Sequence, residues 1–240
     1  MKTLLEKLLL KDQAGFRCVV DLDPTREKIA AIDLSKNNTA LTEEIYSDTE
    51  RFSIYIDHER AAQRAKFLIG GYGELREMYK RSFLFNEEKK YDIEKPAEQP
   101  RRLHIGTDIW GAAGTPVYVP LGGTVHSFAF NNNFGDYGAT IILQHQLDTV
   151  VFHTLYGHLS LADIDHLKEG SFLSRGQLLA HFGRPSENGN WPPHLHFQVI
   201  SDMRLYRGDY PGVCAEKDRD YYLANCPDPD LLLHLDRYLH

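Results

Sequence analysis

Between residues 103 and 200 the chain is cut into short β-patterned runs by Gly, Pro, Asn and Asp, and this spacing constrains the fold more than any other feature. The runs 115–119, 123–130, 139–144, 150–156, 177–182 and 194–200 carry apolar and β-branched residues between turn formers. Short strands at regular spacing predict an all-β core, an antiparallel sandwich or barrel. No repeat of fixed period and no low-complexity tract is present.

The flanks read differently. Residues 1–95 predict a mixed α/β extension. It has a helix at 3–10, a strand pair from 16–22 and 29–34, and one or two helices within 42–67. Gly70, Gly71 and Gly73 then make a turn. No Lys-Ser/Thr follows them, so a phosphate-binding loop is not predicted. Residues 86–102, with Glu87-Glu88-Lys89-Lys90, Lys95-Pro96 and Gln99-Pro100, have the charge and proline of an exposed linker. The main boundary is placed there, giving a second domain over 103–202. Residues 203–240 predict a helical tail packed on that domain, with helices at 218–223 and 231–239. Asp228-Pro229 offers an N-cap and a proline at the first helical position.

Composition bounds the partners. Of 240 residues, 42% are hydrophobic and 25% charged, enough for a real core and ordinary for a globular chain. A formal net charge of -7 argues against phosphate backbones, so no nucleic-acid partner is expected. Three cysteines, Cys18, Cys214 and Cys226, make no disulfide framework and suit a reducing compartment. Glu6 and Lys7 break the apolar run at the N-terminus, which reads as a short amphipathic helix and not as a secretory signal. No stretch reaches the roughly 20 apolar residues of a membrane span. The expectation is a cytoplasmic protein without a membrane partner; the oligomeric state is left open.

Three short motifs carry chemistry. In His194-Leu195-His196, period-two alternation points both imidazoles to one face of a strand. Alone this means little, since twelve histidines produce an HxH by chance. In His104-Ile105-Gly106-Thr107-Asp108, a His and an Asp four residues apart can reach one metal if the backbone bends, and Gly106 permits the bend. Imidazole and carboxylate are zinc ligands, and three protein ligands plus water is the catalytic pattern. No cysteine stands near either motif to close a structural site. In Tyr156-Gly157-His158-Leu159-Ser160, His158 ends a β-patterned run; its plainer reading is a surface histidine.

Taken in order, HxGxD, YGHLS and HLH resemble the lysostaphin-type peptidases of family M23. The text between them agrees: Asp108-Ile109 leading to Gly114-Thr115-Pro116-Val117, Gly122-Gly123-Thr124-Val125, Tyr137-Gly138 ahead of Ile141 to His145, Gly170 with Gly176-Gln177, and Pro193-His194-Leu195-His196-Phe197. The resemblance covers about residues 100–200. It implies the family's β core, a zinc ion held by His104, Asp108 and His196, and metalloendopeptidase activity through a zinc-activated water. It also implies that His158 and His194 stand beside the metal and handle protons or the developing oxyanion. His145 matches a frequent family position, with a hydrogen-bonded strand residue as the alternative. The implied partner is a peptide or small amide, peptidoglycan-derived peptides included.

The chain departs from the family pattern at the loop 186–193, where Trp191 either narrows the substrate groove or simply packs. It departs also at the turn 146–149 and at Gln198, where Glu is usual. With Gly70 to Gly73 upstream and Cys226-Pro227-Asp228-Pro229 downstream, it resembles an M23-like module found joined to kinase-like and aminotransferase-like modules. That branch implies an intracellular zinc hydrolase of a small, non-peptidoglycan amide as the alternative substrate class. A non-catalytic M23-like binding module is the other alternative, and the intact HxGxD and HLH weigh against it. A lipoyl-type carrier, suggested by Gly176-Gln177, lacks the flanking residues of a carrier lysine at Lys168.

Overall fold

In the computed structural model, residues 2–86 and 99–239 are described; most of the expected linker lies outside them. Helix α1 (Leu4–Lys11) is followed by strand β1 (Ile29–Ile32), helices α2 (Glu43–Tyr46) and α3 (Thr49–Ala62), and strand β2 (Phe67–Gly70). Then come β3 (Leu103–His104), β4 (Thr107–Trp110), β5 (Pro116–Tyr118), β6 (Gly123–Asn131), β7 (Gly138–Leu147) and β8 (Val150–Leu159). The strands end with β9 (Phe172–Leu173), β10 (Leu178–His181), β11 (His194–Ile200) and β12 (Val213–Cys214), and the chain closes with helices α4 (Arg219–Asn225) and α5 (Asp230–Leu233).

One eight-stranded sheet dominates, in the order β1-β2-β4-β11-β8-β7-β6-β9, and two small sheets pair β10 with β5 and β12 with β3. Every pairing is antiparallel except β1 with β2. The sheet runs through both halves of the sequence. β2, from the N-terminal region, hydrogen-bonds to β4 with Gly70 opposite Asp108.

Alternation explains how the sheet is covered. Leu195 and Phe197 point into a core shared with Ile109, Ile141, Leu143 and Tyr156. On the other face Leu68 and Trp110 pack with Phe52, Ile56 and Trp191. Phe52 and Ile56, four apart, form the buried stripe of α3, whose N-cap Asp48 accepts from the Arg51 amide. Every residue of β11 is buried, as a central strand covered on both faces requires. The terminal helices pack on one another: α1, held by a Thr3/Glu6 capping box, buries Leu5 and Leu9 in the same core as Leu232 and Leu233 of α5.

Two local expectations differ from the structure. Segment 16–22 does not pair with β1. Its Val20 makes an isolated bridge to Val117, while β1 takes β2 as its partner. Both runs are apolar, and the open edge that each meets in three dimensions decides its neighbour. At the C-terminal end the expected helix 231–239 is cut short: α5 stops at Leu233, His234 turns left-handed, and only a 3-10 turn follows at Asp236–Tyr238, while Asp228 accepts from the Asp230 amide ahead of α5.

Candidate metal centre

Register brings the distant motifs together. β11 lies between β4 and β8, with His196 opposite Asp108 on one side and Gly157 on the other. His194 sits opposite Trp110. His104 ends β3, and the chain turns through Ile105-Gly106 into β4, which returns Asp108 toward it. Gly106 matters less for the bend than for the approach of His196. A Cβ there would lie 2.4 Å from the His196 ring and 3.0 Å from the Phe197 carbonyl oxygen.

The result is a compact triangle. His104 Nε2 is 3.0 Å from His196 Nδ1 and 3.2 Å from Asp108 Oδ1, and His196 Nδ1 is 3.1 Å from the same oxygen. Three corners of a tetrahedron with arms of about 2.0 Å are spaced by about 3.3 Å, so the donor set fits a zinc-sized ion. The protons support this fit. His104 Nδ1 lies 3.0 Å from the Gly71 carbonyl, which can only accept, so that nitrogen carries the hydrogen. His196 Nε2 lies 3.1 Å from Gln198 Oε1, and the Gln198 amide nitrogen donates to the Pro211 carbonyl, which fixes its oxygen toward the histidine. Both inward nitrogens therefore present bare lone pairs beside a carboxylate oxygen, an arrangement that a cation relieves. The outward N–H···O bonds are the orienting contacts of metal-binding histidines.

His158 and His194 stand next to the triangle, with ring centroids 4.1 Å apart. His194 Nε2 is 4.0 Å from Asp108 Oδ1. Each ring is anchored on its far side: His158 Nδ1 donates to the Asn188 carbonyl at 2.8 Å and His194 Nδ1 to the Pro192 carbonyl at 2.7 Å. The Nε2 atoms are thus left unprotonated. His158 takes a left-handed backbone, φ 63°, unusual for a non-glycine residue. Its amide donates to the Tyr137 carbonyl.

Burial dominates the electrostatics. It pushes His104 and His194 down to about 4 and His158 well below the usual histidine range, with the Arg76 guanidinium adding to the effect at His104 and His194 adding to it at His158. Burial alone would raise the Asp108 carboxyl, but the Arg76 guanidinium bound to it outweighs burial and holds that group well below the carboxylate norm. These three histidines are neutral at pH 7 and able to ligate or accept a proton.

The site opens on a cavity of about 60 Å³ whose walls include Tyr79, Phe85, Tyr137, Trp191 and Tyr210, with Asp136 and Asp209 at its edge. Asp209 is raised to about 6 by burial and by Asp136. Trp191 is packed, 2% exposed, against Phe52, Tyr79 and the Arg81 guanidinium. His145 is elsewhere, bonded to Thr154 Oγ1 at 2.7 Å and to the Gly122 carbonyl, as a strand residue. Arg76, which sequence reasoning did not single out, and Gly71, read there only as part of a turn, touch Asp108 and His104 directly. Only the glycines at 70, 71 and 73 hinted that this loop meets other backbone closely.

Residues 102–207 match the model of peptidase family M23. The L-Ala--D-Glu endopeptidase of Bacillus subtilis (strain 168) is 30% identical over 107 residues, 42% of this chain; the chain spans about a third (31%) of that relative's length. Among solved structures, the catalytic domain of the antimicrobial peptidase lysostaphin from Staphylococcus simulans aligns over 55% of this chain and 80% of its own, with 24% identity and a TM-score of 0.39. A zinc-containing peptidase from Vibrio cholerae aligns over 53% of this chain and 36% of its own, with 28% identity and a TM-score of 0.35.

Proposed function

We propose that residues 102–207 form an M23-type peptidase domain and that the protein is a zinc-dependent hydrolase of peptide or related amide bonds. The observation that carries this is the triangle of His104 Nε2, Asp108 Oδ1 and His196 Nδ1, 3.0 to 3.2 Å on a side, with both imidazoles proton-free on the inner side. The family match over the same residues supports it.

In this reading His104, Asp108 and His196 hold one zinc. Bound there, zinc would polarise the scissile carbonyl and acidify a water. The protein's own groups do the rest. Unprotonated Nε2 of His194 or His158 accepts the proton released by the nucleophile and returns it to the leaving amine. The carbonyls of Pro192 and Asn188 hold each ring in the required tautomer through Nδ1. The aromatic walls exclude bulk water and strengthen every charge interaction inside.

The substrate is read as small. His104, Asp108, His158, His194 and His196 are each at most 6% exposed, recessed among the aromatic walls, which suits the end of a short amide more than a polymer strand. This favours a small amide or short peptide, peptidoglycan-derived fragments included, over an intact wall. The free Cys18, Cys214 and Cys226 support a reducing compartment, and we place the protein in the cytoplasm. We also read 103–202 as the catalytic domain, with 1–95 and 203–240 built onto it.

Metal analysis of the purified protein and of His104→Ala, Asp108→Ala and His196→Ala tests the assignment, paired with hydrolysis of a panel of dipeptides, amides and muropeptides. Near-stoichiometric zinc in the parent and strong loss in each variant is expected. Full zinc in all three variants overturns the ligand set.

A further inference from the structure

Arg76 is 0% exposed, and each of its hydrogen-bonding nitrogens has a partner at or next to the candidate centre. Nη1 binds Asp108 Oδ2, Nε donates to Glu74 Oε2 at 2.6 Å, and Nη2 reaches the Gly71 carbonyl at 3.3 Å. That carbonyl also takes the His104 Nδ1 hydrogen. The Glu74 carbonyl accepts the His104 amide at 2.9 Å. The stretch from Gly71 to Arg76 therefore orients two of the three residues in the triangle. Gly70 makes room for it: a Cβ there would lie 2.9 Å from Arg76 Nη2 and 3.2 Å from Trp110 Nε1.

We infer that Arg76 is a positioning residue of the metal centre: by occupying Asp108 Oδ2 it confines the carboxylate to one-oxygen ligation through Oδ1 and fixes it for the ion. This rests on the reading of the triangle as a metal site. A carboxylate with both oxygens free can ligate with one or with two. Here one arm of the guanidinium fork, Nη1, takes Oδ2, and the other nitrogens, bound to Glu74 and to the Gly71 carbonyl, hold that arm in place. Three single-atom ligands then leave the remaining tetrahedral position open, the arrangement of catalytic zinc sites. The single positive charge on Arg76 is shared by Asp108 and Glu74, so the three groups together keep one net negative charge to meet the ion.

The test uses Co²⁺ as a probe in the full chain, reading its visible absorption and its affinity by titration. The parent is expected to bind one Co²⁺ with the intense bands of a four-coordinate site. In Arg76→Met, Oδ2 is released, so the bands weaken and shift as coordination rises, and affinity falls by about 10–100-fold, the usual effect of removing an orienting partner. Arg76→Lys keeps a cation at Oδ2 without the fork. It is expected to keep the parent bands and recover part of the affinity. Gly70→Ala leaves Arg76 in place but crowds it, and is expected to disturb the bands as Arg76→Met does. If Arg76→Met does not fold, the lysine and alanine variants carry the test. A purely structural role would lower the melting temperature and leave both bands and affinity unchanged in the folded fraction; that result overturns the inference. A parent that binds no Co²⁺ or Zn²⁺ overturns the metal-site reading itself, which separates the two failures.

Discussion

The His194 ring lies flat on the Trp110 indole, with centroids 3.9 Å apart and planes 17° from parallel. The pair are direct cross-strand neighbours between β11 and β4. The stack and the Nδ1 bond to Pro192 together fix the plane of His194 and the direction of Nε2, so the tryptophan sets the aim of a group it does not chemically assist.

Trp110→Leu should therefore reduce turnover without removing metal. The side chain is fully buried, and replacing it leaves a cavity costing about 2–4 kcal/mol in stability. Denaturant unfolding reads that cost. Zinc content should match the parent while kcat falls. Loss of zinc in step with kcat would mean that Trp110 supports the ligands and not His194.

Ligation and proton transfer separate at His194. Alanine at His158 or His194 should keep zinc bound and the fold intact, while hydrolysis falls by about 10²–10⁴. The geometry behind this is the 4.0 Å from His194 Nε2 to Asp108 Oδ1, longer than the 3.0 to 3.2 Å edges of the triangle. If His194→Ala loses zinc as completely as His196→Ala, a closed four-ligand site replaces the open one.

Gly106→Ala tests the approach of β11 to the turn between β3 and β4. The new Cβ meets the His196 ring at 2.4 Å and the Phe197 carbonyl at 3.0 Å, so backbone has to move. A stability loss on the order of 1–3 kcal/mol is expected, with weakened zinc binding. Unchanged metal affinity, read by competition with a chromophoric chelator, would show that the triangle tolerates the displacement.

Acid should unfold the metal-free protein through its histidines. His104, His145, His153 and His194 are lowered to about 4 from 6.5, and His158 further, chiefly by burial. The unfolded chain then binds more protons than the folded one below pH 6.5. Stability is full above that value and is lost as pH falls toward 4, with a slope of about 1.4 kcal/mol per pH unit for each extra proton. Asp209 works in the opposite sense: raised to about 6 from 3.8, its contribution is present below 3.8 and lost as pH rises through 6. Melting temperatures from pH 8 to 4, without and with zinc, check this. Zinc should oppose the fall until the ligands are protonated. A metal-free melting temperature that is flat over this window would contradict the neutral, buried state of these rings.

Much of the β core was legible because its signals are local. Alternation in 194–200 put His194 and His196 on one face, and the turn formers around 116–118, 123–131 and 150–159 marked strands that the structure contains. The HxGxD and HLH spacings supplied the candidates, and the resemblance to family M23 singled out His104, Asp108 and His196, the residues that meet in the triangle. The meeting itself depended on β4 and β11 pairing with His196 opposite Asp108, residues 88 apart in sequence. Arg76 had no local signature at all. Its partner is 32 residues away, on a strand that becomes its neighbour only because β2 joins the main sheet. Period and turn chemistry are properties of a few adjacent residues, so the sequence alone determined the strands and the candidate ligands. Which side chain compensates the Asp108 carboxylate, and how deeply the site is buried beneath Tyr79 and Trp191, were decided only by the tertiary structure, because charge pairing and solvent exclusion depend on what packing brings within a few ångströms.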